Sequence, residues 1–198
     1  MKAQLSGILL AGGSSSRMGA DKSDLLFDGE PLARRVAAVL AQTCVEVVVA
    51  SGDGRRLDWL GLPQVADVIP DAGPLAGLVA GLEVARTELV AVIAVDMPFA
   101  SPAVLELLAE RRDGQDAVVP RSHGGIEPLH AVYARTAAGP LRTALESGEH
   151  SVRRALAGMD VLVVEPDEWR AADPTGRFSW NVNRPEDLAR LPPGAPGG

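Results

Sequence analysis

Apolar residues follow two patterns along this chain: short, nearly continuous runs, and stretches where they return every three or four positions. The runs at 5–11, 45–50, 89–95 and 161–164 are strand-length and lie between turn residues, which predicts buried strands. The spaced stretches predict amphipathic helices. Pro31 opens one that runs to about Thr43, with Leu32, Val36, Val39, Leu40 and Thr43 on one face. Pro74 opens another, with Leu75, Leu78, Val79, Leu82 and Ala85 on its buried side. Ser101 as cap and Pro102 at the first position mark a third. Between them, 65–69 reads as a short strand and 55–60 as one helical turn. Strand–helix alternation through the first half predicts right-handed crossovers and a parallel sheet.

The second half changes character. Residues 116–120 and 127–133 read as strands on either side of the turn Ser122-His123-Gly124-Gly125. Helical stretches follow at 140–147 and, capped by Ser151, at 152–157; then come the strand 161–164 and an extended piece over 178–183. Asn183 before Arg184-Pro185-Glu186-Asp187-Leu188 has the form of a helix N-cap. With no internal repeat and no long linker, residues 1–191 are expected to form one domain and 192–198 a disordered tail.

Composition narrows the class. A chain of 198 residues suits one α/β domain, able to bury roughly 70% of its unfolded surface. Abundant Ala, Val, Leu and Gly with few aromatics favours helices packed on a buried parallel sheet. The net charge of −7 argues against general nucleic-acid binding, which needs a basic face. Cys44 is the only cysteine. An intramolecular disulfide and a Cys-rich metal site are thereby excluded, which suits a reducing cytoplasm. The apolar run 89–95 is far too short to span a bilayer. Lys2 followed by the run 5–11 faintly mimics a secretory signal, but cleavage there would destroy the loop that follows.

That loop carries the candidate chemistry. The first strand leads into Gly12-Gly13-Ser14-Ser15-Ser16, with no large side chain before Arg17. Small residues let backbone N–H groups approach an anion closely. Arg17 and Lys22 bring two cations to the same loop, the first as a planar fork and the second as a point charge. Together they describe a nucleoside triphosphate cradle, although neither the P-loop nor the dinucleotide fingerprint is present. Asp96, directly after the run 89–95, is the second signal. Open α/β sheets bind ligands at the carboxyl ends of their strands, and an ionised Asp there is costly unless paired. A Mg²⁺ ion shared with phosphate oxygens would offset that cost. In Asn181-Val182-Asn183, alternation puts both amides on one side of the strand.

The segment Leu9-Leu10-Ala11-Gly12-Gly13-x-x-x-Arg17-Met18-Gly19-x-Asp21-Lys22 resembles the opening signature of nucleotidyltransferases. From Ser6 to Leu191 the chain resembles the molybdenum cofactor guanylyltransferases, the molybdopterin-guanine dinucleotide biosynthesis protein A family; Asp96-Met97-Pro98-Phe99 matches their second motif. The resemblance implies a three-layer, Rossmann-like nucleotidyltransferase fold of the GT-A type, with a mostly parallel central sheet and helices on both faces. It implies transfer of GMP from GTP to molybdopterin with release of pyrophosphate, and transient contact with proteins that donate and receive the cofactor. Arg17, Lys22 and Asp96 would be catalytic, with Asp96 as the Mg²⁺ ligand. Leu10, Ala11, Gly12, Gly13, Lys22, Asp67, Asp96, Asn181 and Asn183 would line the substrate sites, with Asp71 as the alternative to Asp67. Residues 128–132, including His130, would lie near the molybdopterin; Arg153 and Arg154 either hold its phosphate or form a solvated helix face. Asp24 and Ala50 depart from the family pattern, the first in place of an apolar residue and the second where some members carry Asn near the ribose. The Leu-Ala-Gly-Gly form of the loop favours GTP over CTP, since Gly12 leaves room beside the base. A cytidylyltransferase for the same cofactor, a sugar-phosphate nucleotidylyltransferase and a catalytically inactive nucleotide-binding regulator remain the rivals.

Overall fold

The protein is described here by a computed structural model over residues 4–12, 22–182 and 187. In chain order the elements begin with β1 (Leu5–Leu10), a 3₁₀ turn (Lys22–Asp24), the small hairpin β2 (Leu26–Phe27) and β3 (Glu30–Pro31), and α1 (Leu32–Thr43). Next come β4 (Cys44–Gly52), β5 (Gln64–Ala66), α2 (Pro74–Val84), β6 (Leu89–Ala94) and α3 (Pro102–Arg111). The second half holds β7 (Ala117–Ser122), β8 (Gly125–Ile126), β9 (His130–Ala134), α4 (Ala138–Glu146), α5 (Val152–Ala155), β10 (Val161–Val164) and α6 (Pro166–Trp169).

The main sheet has the order β10-β7-β9-β6-β1-β4-β5, with β8 paired to β7. β6, β1, β4 and β5 are mutually parallel, as the strand–helix alternation predicts. β9 runs antiparallel to both β6 and β7, so it is the one reversed strand of the path, and β10 is again parallel to β7. Alternate residues of each central strand serve two cores. Leu5 and Leu9 join Ala91 and Ile93 beneath α1 and α3, while Ile8 and Leu10 join Val90 and Val92 beneath α2 and α4. Burial on both faces is why β6 reads as an unbroken apolar run and β1 as one interrupted only by the buried Ser6. The architecture is therefore three layers, with helices on both faces of a mostly parallel sheet.

α2 departs from the expected one-sided pattern: Leu75 through Leu82 are all buried, because the helix packs against α4 as well as against β1 and β4. A Cβ on Gly81 would lie 2.6 Å from Ile8 Cδ1, so the glycine lets α2 lie close against β1. Pro31 belongs to β3 and precedes α1. The strand expected over 127–133 is shorter: β9 starts at His130, after a turn in which the His130 N–H donates to the Glu127 carbonyl at 3.2 Å. The extended piece expected from 178 begins with a 3₁₀ turn, Arg177–Ser179. The tail expected over 192–198 lies outside the described residues. No described helix is long and apolar enough to cross a membrane.

Candidate active site

The carboxyl ends of β1, β4, β5 and β6 meet at one edge of the sheet. Beyond β1, the N–H groups of Ala11 and Gly12 both donate to the Ala50 carbonyl at 2.9 Å. On the other side of β1, Val95 N–H donates to the Leu10 carbonyl at 2.9 Å. Leu10 pairs with Ala94, so Gly12 and Asp96, each two residues further on, stand at the same level of the sheet. Arg56 donates to the Ala11 carbonyl, and Asp53 holds that arginine's turn by accepting from the N–H groups of Arg55 and Arg56 at 3.0 and 2.8 Å. Those two backbone bonds hold the Asp53 carboxyl below the usual range.

Asp67 follows β5, its N–H donating to the Gly52 carbonyl at 2.9 Å. Its Oδ1 is buried and has no hydrogen-bond partner among the described residues. Burial raises its carboxyl pKa, Arg56 opposes that shift, and the nearby Asp71 adds to it. Asp71 itself is exposed at φ 58°, so Asp67 is the better placed of the two. A Cβ on Gly12 would lie 3.1 Å from Gly52 N and 3.2 Å from Asp67 Oδ1; one on Gly77 would lie 3.1 Å from the same oxygen. The missing side chain at Gly12 thus lets the β4 backbone and this carboxylate come close to the end of β1.

Asp96 is half-buried one residue beyond Val95. Its carbonyl accepts from Val182 N–H at 2.7 Å, which brings the C-terminal segment to the strand end. Val182 is buried in the core, while Asn181 is exposed and donates to the Ser179 carbonyl at 3.3 Å. The fold thus brings together Leu10, Ala11, Gly12 and Asp67 on one side and Asp96 with Asn181 on the other, joined through the β1–β6 pairing. Gly13, Arg17 and Asn183, and the side chain of Lys22, lie outside the described residues. Among the described residues no cluster of three or more His, Cys, Asp or Glu is arranged to hold a metal. Asp96 alone fits a hard cation that takes its remaining ligands from phosphate oxygens and water.

The remaining candidates make contacts within the fold. Arg153 donates to the carbonyls of Ile126 at 2.7 Å and Gly124 at 3.4 Å, bracing the β7–β8 turn, and Arg154 pairs with Glu149 at 2.7 Å. His130 is fully buried; its Nε2 accepts from Ser101 N–H at 3.1 Å and its ring centroid lies 4.9 Å from that of Phe178. Burial pushes its pKa down to about 4, so the ring is neutral. Burial also pushes the Cys44 thiol up to about 11, which leaves it a core residue and a poor nucleophile. Arg56 and Glu127 are the site features that sequence reasoning passed over. A pair of arginines in a loop and a lone acid before Pro128 gave no periodic or motif signal.

The MobA-like NTP transferase domain model matches residues 7–165. The chain belongs to that family. A probable molybdenum cofactor guanylyltransferase of Chloroflexus aggregans is 39% identical over 192 residues, covering 93% of this chain and 91% of its own length. One from Natronomonas pharaonis is 38% identical, with 93% and 95% covered. Among solved structures, the molybdopterin-guanine dinucleotide biosynthesis protein A of Archaeoglobus fulgidus superposes with a TM-score of 0.81 at 29% identity, over 94% of this chain and 96% of its own. The three-layer fold with its mostly parallel sheet is therefore a nucleotidyltransferase fold.

Proposed function

We propose that this protein transfers GMP from GTP to molybdopterin, forming the guanine dinucleotide of the cofactor and releasing pyrophosphate. The observation that carries the reading is the match, over nine-tenths of the chain, to relatives named molybdenum cofactor guanylyltransferase. The terminal phosphate of molybdopterin attacks the α-phosphorus of GTP; a P–O bond forms as the bond to the β-phosphate oxygen breaks, and pyrophosphate leaves with that electron pair. The nucleophile is already ionised at neutral pH. No general base is required, which agrees with the buried neutral His130 and the un-ionised Cys44.

The residues have to hold two mutually repelling anions in line and neutralise charge that builds in the transition state. In this reading Lys22 and Arg17 meet the triphosphate. The Leu10–Gly13 backbone and Asp67 take the nucleoside, and Asn181 and Asn183 face the second substrate. Asp96 would hold the divalent metal that such nucleotidyltransferases generally use, and our reading is Mg²⁺. Bound there, the ion would draw negative charge from the phosphate oxygens. The cytoplasm is the expected compartment, and brief contacts with cofactor-donating and cofactor-accepting proteins are expected.

The test is a competition. Protein, molybdopterin, Mg²⁺ and equal GTP and CTP are incubated, and the dinucleotide product is identified by mass. The guanine dinucleotide is expected in excess. A mainly cytosine-containing product would replace the guanylyl assignment with the cytidylyl one and leave the fold standing.

A further inference from the structure

A cleft of about 500 Å³ lies between the β7–β8 turn, α6 and the segment 174–181. It reaches Asn181, next to the Val182 that is bonded to Asp96. Sheet order separates it from the nucleoside side. Gly12 and Asp67 stand over β1, β4 and β5, whereas the cleft stands over β7 and β8, across β6 and β9. A ligand in the cleft would therefore approach Asp96 from the side opposite the nucleoside.

Two features of the cleft point to a flat, nitrogen-rich ring. Trp169 and Trp180 line it; Trp169 is fixed by its Nε1 donating to the Arg121 carbonyl at 2.9 Å, and Trp180 keeps 43% of its surface exposed. Glu127 is the only acid among the described residues that line it. Its backbone is held from several directions: its N–H donates to the Pro120 carbonyl at 2.8 Å, and the buried Tyr133 hydroxyl donates to the adjoining Pro128 carbonyl at 2.7 Å. Ala94 N–H donates to the Leu129 carbonyl at 2.9 Å, which fixes this turn against the end of β6 just before Asp96. The Ser122 hydroxyl donates to Glu127 Oε1. Burial raises the Glu127 carboxyl pKa, while that hydroxyl and the charge of Arg153 pull it back. Arg153 spends N–H groups on the Gly124 and Ile126 carbonyls. A half-buried carboxylate of this kind gains from a ligand that offers it two parallel N–H donors.

We propose that Glu127 determines specificity for the pterin end of the second substrate, its carboxylate receiving the ring N–H and adjacent amino group of the pterin while Trp180 packs against the ring. The proposal rests on molybdopterin being that substrate. Guanine presents the same donor edge, but the sheet places the nucleoside residues on the far side of Asp96. The pterin and the terminal phosphate lie at opposite ends of molybdopterin, and the cleft is lined by both Glu127 and Asn181, the latter next to the Val182 that bonds the Asp96 carbonyl.

Glu127→Gln tests it, because the amide keeps an oxygen for the Ser122 hydroxyl and replaces the second acceptor with a donor facing the pterin's own donors. The KM for molybdopterin is expected to rise about tenfold or more, with the KM for GTP within about twofold. Independently and without GTP, unsubstituted pterin is expected to quench tryptophan fluorescence in the wild type and not in Glu127→Gln. An unchanged molybdopterin KM together with unchanged quenching overturns the proposal. So does a rise in the GTP KM alone, which would make Glu127 the guanine contact. A wild type that forms no guanine dinucleotide refutes the functional reading instead, and the pterin titration still decides whether the cleft binds such rings.

Discussion

The main-chain N–H of Val182 donates to the carbonyl of Asp96 at 2.7 Å. One bond thus ties the C-terminal segment to the strand end where the metal-binding carboxylate is proposed. Because the bond uses the carbonyl, it holds Asn181 beside Asp96 without drawing on the Asp96 side chain.

Asp96→Ala is therefore expected to fold. It should lose metal-dependent turnover, by several kcal/mol of transition-state stabilisation, or about a hundredfold or more in rate. Pyrophosphate release measured beside circular dichroism checks both halves. A folded variant with near-normal turnover would remove Asp96 from the mechanism.

Gly12→Ala and Gly77→Ala would press on the same oxygen, Asp67 Oδ1, from two elements at 3.2 and 3.1 Å. Each is expected to raise the KM for GTP and to cost about 1–3 kcal/mol of stability through overpacking. Their effects on GTP should not add, since both act through one carboxylate. Additive free energies in a double-mutant cycle would show two separate causes.

Asp67→Asn should divide stability from function. A carboxyl whose folded pKa is raised weakens the fold as pH climbs through its unfolded value towards the folded one, because the folded state then holds the extra proton. Replacing it by a neutral amide is expected to raise Tm at neutral pH and to raise the KM for GTP as well. A lower Tm would mean that the carboxylate stabilises the unliganded fold.

His130 gives the opposite pH dependence. Its folded pKa of about 4 lies below the ordinary 6.5, so between those values the unfolded chain binds the extra proton. The contribution of the neutral ring is present above pH 6.5 and is lost as pH falls to about 4, on the order of 3 kcal/mol across that window. Denaturant titrations over the range should show His130→Gln with a flatter profile than the wild type. Parallel profiles would assign the acid sensitivity to other groups.

Local chemistry made much of this protein legible from its residues. The run at 5–11, broken only by Ser6, and the unbroken run at 89–95 have the length of short buried strands, Pro74 and Ser101-Pro102 announce the helices α2 and α3, and Asp96 stands out because a charge follows an apolar strand. The glycine–serine loop with its two cations carries its own anion-binding logic. Each of these signals is contained within about a dozen neighbouring residues.

What the sequence left open depends on partners distant along the chain. Nothing local marks β9 as the reversed strand, because its direction is set by pairing with both β6 and β7. Nor does the string 128–133, apolar but for His130, reveal that Glu127 sits before a turn, since Pro120 and Tyr133 define it. That Gly12 faces Gly52 and Asp67 shows only once the chain is folded. Arg153 read as a phosphate ligand or a solvated helix face, and only the fold shows its N–H groups reaching the Gly124 and Ile126 carbonyls. Periodicity and motif report what a segment can bury and bind. Register, and which side chain ends in which cleft, follow only when non-local strands and turns satisfy one another's backbone groups.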